Sequence, residues 1–241
     1  MTYGSADSAP GSAGPSDGPS TAVIDLLGLL AYAELVAFFR LSDNAELAPT
    51  LVAKGELAGL AAAEYTHYKR VRDRLAELGA DPEEVMAPFT EPLDAWHDRT
   101  KPQTWLESLV KAYVGDGIAG DFYREVAESA DEETRALAQS VLSESGRGDF
   151  IASQVREAVE RDPSLAGRLS LWARRLVGEA LSQAQIVATT RVELAALLVS
   201  GAGEAEPESE SGSGDLAAVS RMFAKLTDAH NARLEAMGLN G

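Results

Sequence analysis

An all-α helical bundle is the fold class that the sequence predicts, and three observations support this prediction. Residues with high helix propensity are abundant, whereas aromatic residues make up only 6% of the chain. Apolar residues recur at helical spacing over long stretches, and no alternating strand pattern extends beyond a few residues. The 241 residues are 45% hydrophobic, which is enough to bury the core of one sizeable domain.

Composition divides the chain into four predicted parts. Residues 1–20 consist almost entirely of Gly, Ser, Pro, Ala and Asp, which predicts a disordered leader. The helical bundle is predicted over residues 21–200, and an acidic linker rich in Ser and Gly over residues 201–214. A last short helix, residues 215–237, is expected to pack back on the bundle.

Five long helices are predicted within the bundle. They cover residues 21–41, 46–78, 103–129, 131–161 and 164–200. Four prolines between residues 81 and 102 predict a crossover connection with one short helical turn. The fifth helix is long and amphipathic, so it is expected either to cover the bundle or to form a homodimer interface.

Composition and charge also exclude several classes of protein. There is no cysteine, which rules out disulfides, thiolate nucleophiles and iron–sulfur clusters. The formal net charge of −17 opposes the approach of nucleic acid and of anionic membranes. No uninterrupted apolar run reaches the roughly 18 residues of a membrane span, and no secretory signal is recognisable. A cytoplasmic location without membrane association is therefore expected.

The central motif of the sequence is a glutamate and a histidine three residues apart, Glu64 and His67. At this spacing the two side chains share one helix face, so one helix can offer a carboxylate oxygen and an imidazole nitrogen to the same metal ion. Four-helix bundles that hold two iron or manganese ions use this pair on two helices and a lone carboxylate on each of the others. The alternative interpretation is a surface pair without a metal.

The predicted neighbouring helices supply further carboxylates near their centres. Glu34 lies in the apolar run of the first helix, where an acid is costly unless it is paired, protonated or metal-bound. Asp116 and Asp121 flank the glycines of the third helix, and either could be the carboxylate of that helix; Glu144 lies at the centre of the fourth. Hard oxygen ligands with an imidazole suit iron or manganese. Ion pairing or exposure to solvent is the alternative for each acid.

Arg147 departs from the metal-binding pattern. It follows Glu144 at the spacing where a second Glu-x-x-His pair would place its histidine. Arginine is always cationic and cannot bind a metal, but it can pair with Glu144 or Glu34 and replace the charge of one cation. The sequence therefore allows two metals, one metal or none.

A basic cluster follows His67 on the same predicted helix. Its members are Lys69, Arg70, Arg72 and Arg74. Such a cluster is either a docking surface for nucleic acid or a solvated helix end.

The two remaining histidines are not predicted to bind metal. His97 lies in the proline-rich connection, where helical geometry is not assured. His230 lies in the predicted terminal helix and is expected on the surface.

Several segments carry a resemblance to a known family. They are the first helix with Glu34, AAAEYTHYKRV, VGDGIAGDFYREVAE and LSESGRGDF. Over about residues 21–200 the chain resembles the ferritin-like superfamily, and within it actinobacterial proteins related to the tRNA hydroxylase that acts on 2-methylthio-N6-isopentenyl-adenosine. The resemblance implies a ferritin-like four-helix bundle with a long crossover between its second and third helices and additional C-terminal helices.

The resemblance also implies an activity, namely O₂-dependent hydroxylation of a prenyl group on a tRNA adenosine by a di-iron centre supplied by an electron donor. The implied ligands are Glu34, Glu64, His67, Asp116 (with Asp121 as the alternate) and Glu144. The alternative function, suggested by Arg147, is a ferritin-like scaffold or binding protein with an incomplete metal site. Metal storage or peroxide detoxification on the same fold is a third option.

Overall fold

The computed structural model describes residues 20–144, 148–194, 196, 224 and 227–239 of the chain. Its helices are α1 (Thr21–Asn44), α2 (Leu51–Glu77), α3 (Pro82–Arg99), α4 (Trp105–Ser129), α5 (Glu132–Glu144), α6 (Gly148–Arg161) and α7 (Ser164–Thr190). Residues 227–239, called the terminal segment below, are helical up to residue 236. No β-strand occurs among the described residues, so the predicted all-α class is confirmed.

The helices pack as a bundle around α1 and α4. Helix α1 packs against α2, α3 and α4, and α4 packs in turn against α5, α6 and α7. Hydroxyl caps begin the first two helices. The N–H of Val23 donates to Ser20 Oγ over 3.3 Å, and the N–H of Ala53 donates to Thr50 Oγ1 over 3.1 Å.

The prediction of a mostly irregular crossover is wrong, because that connection contains the 18-residue helix α3. Pro88 and Pro92 lie inside the helix, although each removes a backbone donor and disfavours helix formation. Asp81 compensates at the start by capping the helix with its side chain. Phe89 and Trp96 are buried on one face of α3, which packs on α1 and α7. Packing of this apolar face therefore outweighs the local propensity.

The predicted fourth and fifth helices also differ from the structure. Helices α5 and α6 lie on either side of residues 145–147, which are outside the described part of the chain. The predicted fifth helix is interrupted, because α7 ends at Thr190 and Arg191 leaves the helical conformation with φ −126° and ψ 68°. The described residues 192–194 and 196 are helical again. The predicted leader (apart from its last residue) and the predicted acidic linker lie outside the described residues.

Two apolar clusters fill the bundle, one towards each end. The first contains Leu41, Leu57, Ala61, Val110 and Val114, and the second contains Leu26, Leu30, Val71, Leu75 and Tyr123. On each of α1, α2 and α4, the residues between these two sets include an ionisable group. Glu34, Glu64, His67 and Asp116 occupy those intermediate positions. The fold thus places acidic and imidazole groups at the middle of an otherwise apolar bundle.

The stretch Thr21–Leu47, which includes α1, is long and apolar enough to cross a membrane by length and composition, with a mean hydropathy of 2.0 in its most apolar window. From the sequence, this helix was not predicted as a candidate span, because only uninterrupted apolar runs were considered. Of that window, 56% is buried inside the protein, and Glu34 lies in the same helix. Packing inside the bundle accounts for the apolar character of α1.

Gly28 marks the closest approach of α1 to α3. A Cβ atom at this position would lie 2.7 Å from the backbone oxygen of Val85, which cannot move as a flexible side chain can. Gly28→Ala is therefore expected to lower the free energy of unfolding by about 1–3 kcal/mol. Urea unfolding measures the change. In the matched control, Gly178→Ala on α7, the new methyl group meets no atom within 4 Å and should raise stability by about 0.5–1 kcal/mol. Equal effects of the two substitutions would contradict the packing argument.

Candidate metal centre

Three potential metal ligands form a buried cluster at the middle of the bundle. His67 Nδ1 lies 3.6 Å from Glu34 Oε2 and 3.7 Å from Glu64 Oε2. One ligand atom from each residue lies within 4.8 Å of the other two. The side chains are 5% exposed for Glu34, 7% for His67 and 16% for Glu64. The structure therefore brings together the Glu-x-x-His pair of α2 and the central acid of α1.

The cluster binds protons strongly. Burial raises the pKa of Glu64 to about 8, and hydrogen bonding with Glu34 adds to the rise. Burial by itself lowers the pKa of His67, but hydrogen bonds to Glu34 and Glu64 and their negative charges raise it to about 10. Two buried carboxylates at this separation require a compensating positive charge. A proton, the imidazolium or a bound cation can supply it.

The structure also separates the two candidate acids of α4. Asp116 lines the same cavity as Glu64 and is exposed to solvent there. Desolvation by the surrounding protein raises its pKa to about 6, with a further contribution from the charge of Glu64. Asp121 instead forms ion pairs with Arg124, over 2.6 Å, and with Arg233, over 2.7 Å. A carboxylate held by two guanidinium groups is poorly placed to bind a metal. Of the two, we therefore favour Asp116 as the ligand from α4.

The fourth predicted helix contributes no described ligand. The backbone of Glu144 ends α5, but its side chain lies outside the described part of the structure, as does the whole of Arg147. A second metal at this position, and its replacement by the Arg147 guanidinium, therefore both stay predictions.

Tyr123 is a residue of the site that the sequence did not single out. It lies on α4, about two helical turns after Asp116, and is fully buried. Burial raises the pKa of the Tyr123 phenol well above its ordinary value, and the negative charge of Glu34 adds to the rise. The hydroxyl therefore remains protonated next to the acid cluster. The only signal for Tyr123 in the sequence was a tyrosine within an apolar helical segment.

A cavity of about 260 Å³ adjoins the cluster and is bounded by α1, α3, α4, α7 and the terminal segment. Glu34, Glu64 and Asp116 line it. Most of its remaining wall is apolar, for example Leu29, Leu30, Ala37, Phe122, Val177 and Leu181. An apolar cavity with a few convergent polar groups is the usual form of a small-molecule site.

The two histidines that were discounted also lie at this cavity. His97 is buried in α3 and packs edge-on against Trp96, with 4.6 Å between ring centroids. Burial lowers the pKa of His97 to about 2, and the positive charges of Lys111 and Arg40 contribute. The prediction that His230 lies on the surface is wrong, because it is only 6% exposed. Neither histidine has a carboxylate pair around it as His67 does in the described structure.

Docking of the terminal segment explains the burial of His230. Arg233 donates hydrogen bonds to the carbonyl oxygen of Gly117, over 2.8 Å, and to Asp121 Oδ2, over 2.7 Å. A Cβ atom at Gly117 would lie 2.6 Å from Cδ of Arg233, so the glycine makes room for this side chain. Leu234 and Met237 complete the contact by joining the apolar core. A local sequence pattern cannot predict contacts between residues that lie more than 100 positions apart, such as Gly117 and Arg233.

Two members of the basic cluster of α2 form ion pairs with nearby acids. Its four members are the predicted docking residues Lys69, Arg70, Arg72 and Arg74. Arg74 donates to Asp131 over 2.7 Å and to Glu133 over 2.6 Å, which ties α2 to the start of α5. Arg72 pairs with the adjacent Asp73. The cluster therefore serves at least in part to join helices.

The donor set of the cluster fits a hard divalent cation. Two carboxylates and one imidazole converge in a buried place where their charges need compensation, and a third acid lines the same cavity. Oxygen donors with a single nitrogen suit iron or manganese and disfavour softer metals. Glu34, Glu64 and His67 would hold such an ion, and Asp116 lies at the same cavity outside this group of three.

An all-helical bundle with a carboxylate–imidazole cluster at its centre defines the ferritin-like class of proteins. The chain belongs to the ferritin-like domain family of actinomycetes, whose family model matches residues 19–201. A solved structure, described as protein 19 with aldehyde deformylating oxidase activity from Synechococcus, is similar with a TM-score of 0.63 and 17% sequence identity. The match covers 92% of this chain and 93% of that one, and at this identity it establishes the fold. No curated protein sequence matches the chain.

The ferritin-like part of the resemblance is thus confirmed. Its narrower relation to tRNA hydroxylases stays a prediction.

Proposed function

We propose that the protein is a ferritin-like, metal-dependent oxygenase that oxidises an apolar substrate group within its internal cavity. The observation that carries the proposal is that a candidate metal site lies beside an apolar cavity. The buried Glu34–Glu64–His67 cluster is a candidate metal site, and two of its members line a cavity whose walls are mostly apolar. A metal that only supported the fold would need no such cavity.

The residues of the chain have separable roles in this proposal. Glu34, Glu64 and His67 hold the metal, and Asp116 of α4 lines the cavity beside them. Bound iron would supply the capacity to reduce O₂ and so to oxidise a C–H bond. The apolar wall, including Leu30 and Phe122, excludes water and holds an apolar group beside the cluster. The activity named for the Synechococcus protein, an aldehyde deformylating oxidase, agrees with oxidation chemistry on this fold.

The finer candidate is hydroxylation of a prenyl group on tRNA. A row of aromatic rings, of which Phe39 and Tyr65 are exposed, supports it. Phe38 lies 5.1 Å from Phe39 and 5.3 Å from Tyr65, and Tyr65 lies 5.9 Å from Tyr68 between ring centroids. Exposed rings can stack on unpaired bases. The net charge of −17 and the paired arginines of α2 oppose it. Binding of prenylated tRNA that weakens steeply with added salt would support this candidate, and no binding at low salt would remove it.

Iron content and oxygen consumption test the oxygenase proposal. The full chain is loaded with Fe(II) without oxygen, desalted and analysed for iron, and O₂ uptake is then followed with a chemical reductant. About one or two irons per chain with reductant-dependent O₂ uptake supports the oxygenase. Iron near zero supports the scaffold alternative, since a binding protein with an incomplete site needs no metal. Many irons per chain would indicate storage.

Arg147→His is expected to raise the iron content by about one ion per chain. The substitution restores a histidine three residues after Glu144 and removes a cation that competes with a metal. Arg147→Gln is the matched control, because it removes the charge without adding a strong ligand. An equal gain with both variants would show that charge, and not the imidazole, limits metal binding. No gain with either would show that this position does not contribute to a metal site.

A further inference from the structure

The wall of the cavity formed by α7 and the terminal segment contains polar atoms that lack partners. Gln183 of α7 is 5% exposed and His230 of the terminal segment is 6% exposed. Both residues line the cavity, and Gln183 Nε2 and the two ring nitrogens of His230, which are themselves buried, have no hydrogen-bond partner among the described residues. A buried polar group without a partner costs about 1–3 kcal/mol. Three such atoms at one cavity indicate that a ligand supplies the partners.

The cations at the cavity are already paired, which argues against a charged ligand. Each of the four has an acid or a carbonyl group within reach. The pairs are Arg40 with Asp98, Lys111 with the carbonyl oxygen of Thr100, Arg191 with Asp25, and Arg233 with Asp121. A carboxylate entering this apolar cavity would lose its hydration and would have to compete with these partners, except at Arg40 Nε, which has no hydrogen-bond partner among the described residues.

The unpartnered groups are themselves uncharged. Burial lowers the pKa of His230, and the positive charge of Arg233 lowers it further, so the imidazole is neutral near neutral pH. A neutral imidazole offers one N–H donor and one nitrogen acceptor. The Gln183 amide adds a second donor. A complementary ligand group must therefore both accept and donate a hydrogen bond.

We propose that Gln183 and His230 bind the hydroxyl or amide group of an otherwise aliphatic ligand in this cavity. The ligand's oxygen accepts from the Gln183 amide, and its O–H or N–H donates to the free nitrogen of His230. The apolar remainder lies along the wall towards Glu34 and Glu64. The biological meaning of this site rests on the proposed oxygenase function, but the binding itself needs no metal.

His97 offers a competing position. It also lines the cavity, and its Nδ1 lacks a partner. His97 on α3 and Arg40 on α1 each present a single such atom, however, whereas the wall of α7 and the terminal segment presents three. The experiment below includes His97 so that the two positions are distinguished.

Calorimetric titration of the metal-free full chain tests the assignment. The probes are octanol, heptyl methyl ether, which has a similar length and accepts but cannot donate, and octanoate, which is charged. Octanol is expected to bind about tenfold more tightly than either of the others, because only octanol satisfies both the donor and the acceptor of the wall. Equal affinity for octanol and the ether would overturn the proposal.

Variants locate the hydrogen-bonding groups. Gln183→Met and His230→Phe keep an apolar volume at each position. His230→Phe removes the acceptor and is expected to weaken octanol binding about tenfold while leaving ether binding within about twofold, whereas Gln183→Met removes the donor and is expected to weaken the binding of both ligands about tenfold. Val187→Ile, which changes the apolar wall of the same cavity, and His97→Phe should leave the preference for octanol intact. Thermal unfolding checks that each variant is folded, and the Gln183→Met result decides if His230→Phe does not fold. Loss of the preference only in His97→Phe would overturn the assignment, as would a crystal structure in which ordered waters occupy these partners and octanol does not displace them.

The two proposals fail in distinguishable ways. If the chain binds octanol more tightly than the ether but never retains iron, this inference is supported and the oxygenase proposal is rejected. Iron-dependent O₂ uptake by a chain that binds octanol and the ether equally would do the reverse.

Discussion

Replacement of His67 by alanine is expected to weaken the binding of Fe(II) by more than about 100-fold. His67 supplies the nitrogen donor of the described cluster and lies within 3.7 Å of a carboxylate oxygen from each acid. Loss of a residue that only supports a metal ligand costs about 10–100-fold in affinity, so the loss of a ligand itself should exceed that range. Titration without oxygen, with the retained metal measured by elemental analysis, gives the affinity. Mn(II) serves as a second probe that does not oxidise.

His97→Gln provides the matched control for this substitution. His97 is also a buried histidine at the same cavity, but the charges that act on it are the cations Lys111 and Arg40 and not carboxylates. Its replacement should leave metal affinity within about threefold of that of the unmodified chain, because it removes no ligand. Comparable losses in the two variants would mean that any damage to the cavity disrupts binding. Unchanged metal content in His67→Ala would exclude the cluster as the metal site.

The parts of the site that the sequence predicted are those that local rules govern. The three-residue spacing of Glu64 and His67 places both on one face of any helix, so their proximity follows once α2 forms. Glu34 was recognisable because an acid within an apolar helix must find a partner. The structure shows that partner to be the cluster itself, with His67 Nδ1 3.6 Å away.

The parts that the sequence did not predict depend on contacts between distant segments. Asp116 and Asp121 both flank the glycines of α4, and what separates them is Arg233, which lies 112 positions beyond Asp121. The burial of His230 has the same origin. Helix α3 was missed for a related reason, because its prolines disfavour a helix locally while Trp96 and its neighbours are stabilised by helices that come much later in the chain.

The metal-free protein is expected to lose stability as the pH rises from about 5 to about 10, by on the order of 5 kcal/mol from the cluster. The pKa of Glu64 rises from 4.5 to about 8 on folding, so its contribution is fully present below its unfolded pKa and is lost as the pH rises through 8. The pKa of His67 rises from 6.5 to about 10, so its contribution is likewise lost as the pH rises through 10. Both groups bind more protons in the folded state, so their contributions have the same sign, although the two groups titrate as a coupled pair.

Glu64→Gln isolates this contribution, since other buried groups oppose it. The pKa values of His97 and Lys111 are lowered on folding, which reduces stability as the pH falls. The difference in unfolding free energy between the unmodified chain and Glu64→Gln, measured with urea at several pH values, cancels those terms. As the pH rises, the unmodified chain should lose stability relative to Glu64→Gln. A difference that stays constant would show that Glu64 does not retain its proton. Metal binding should reverse the trend, because a cation competes with the same protons and is bound more tightly as they leave. A chain that binds no metal would keep the metal-free pH profile after incubation with Fe(II), so a single set of unfolding curves tests both the acid cluster and its proposed occupant.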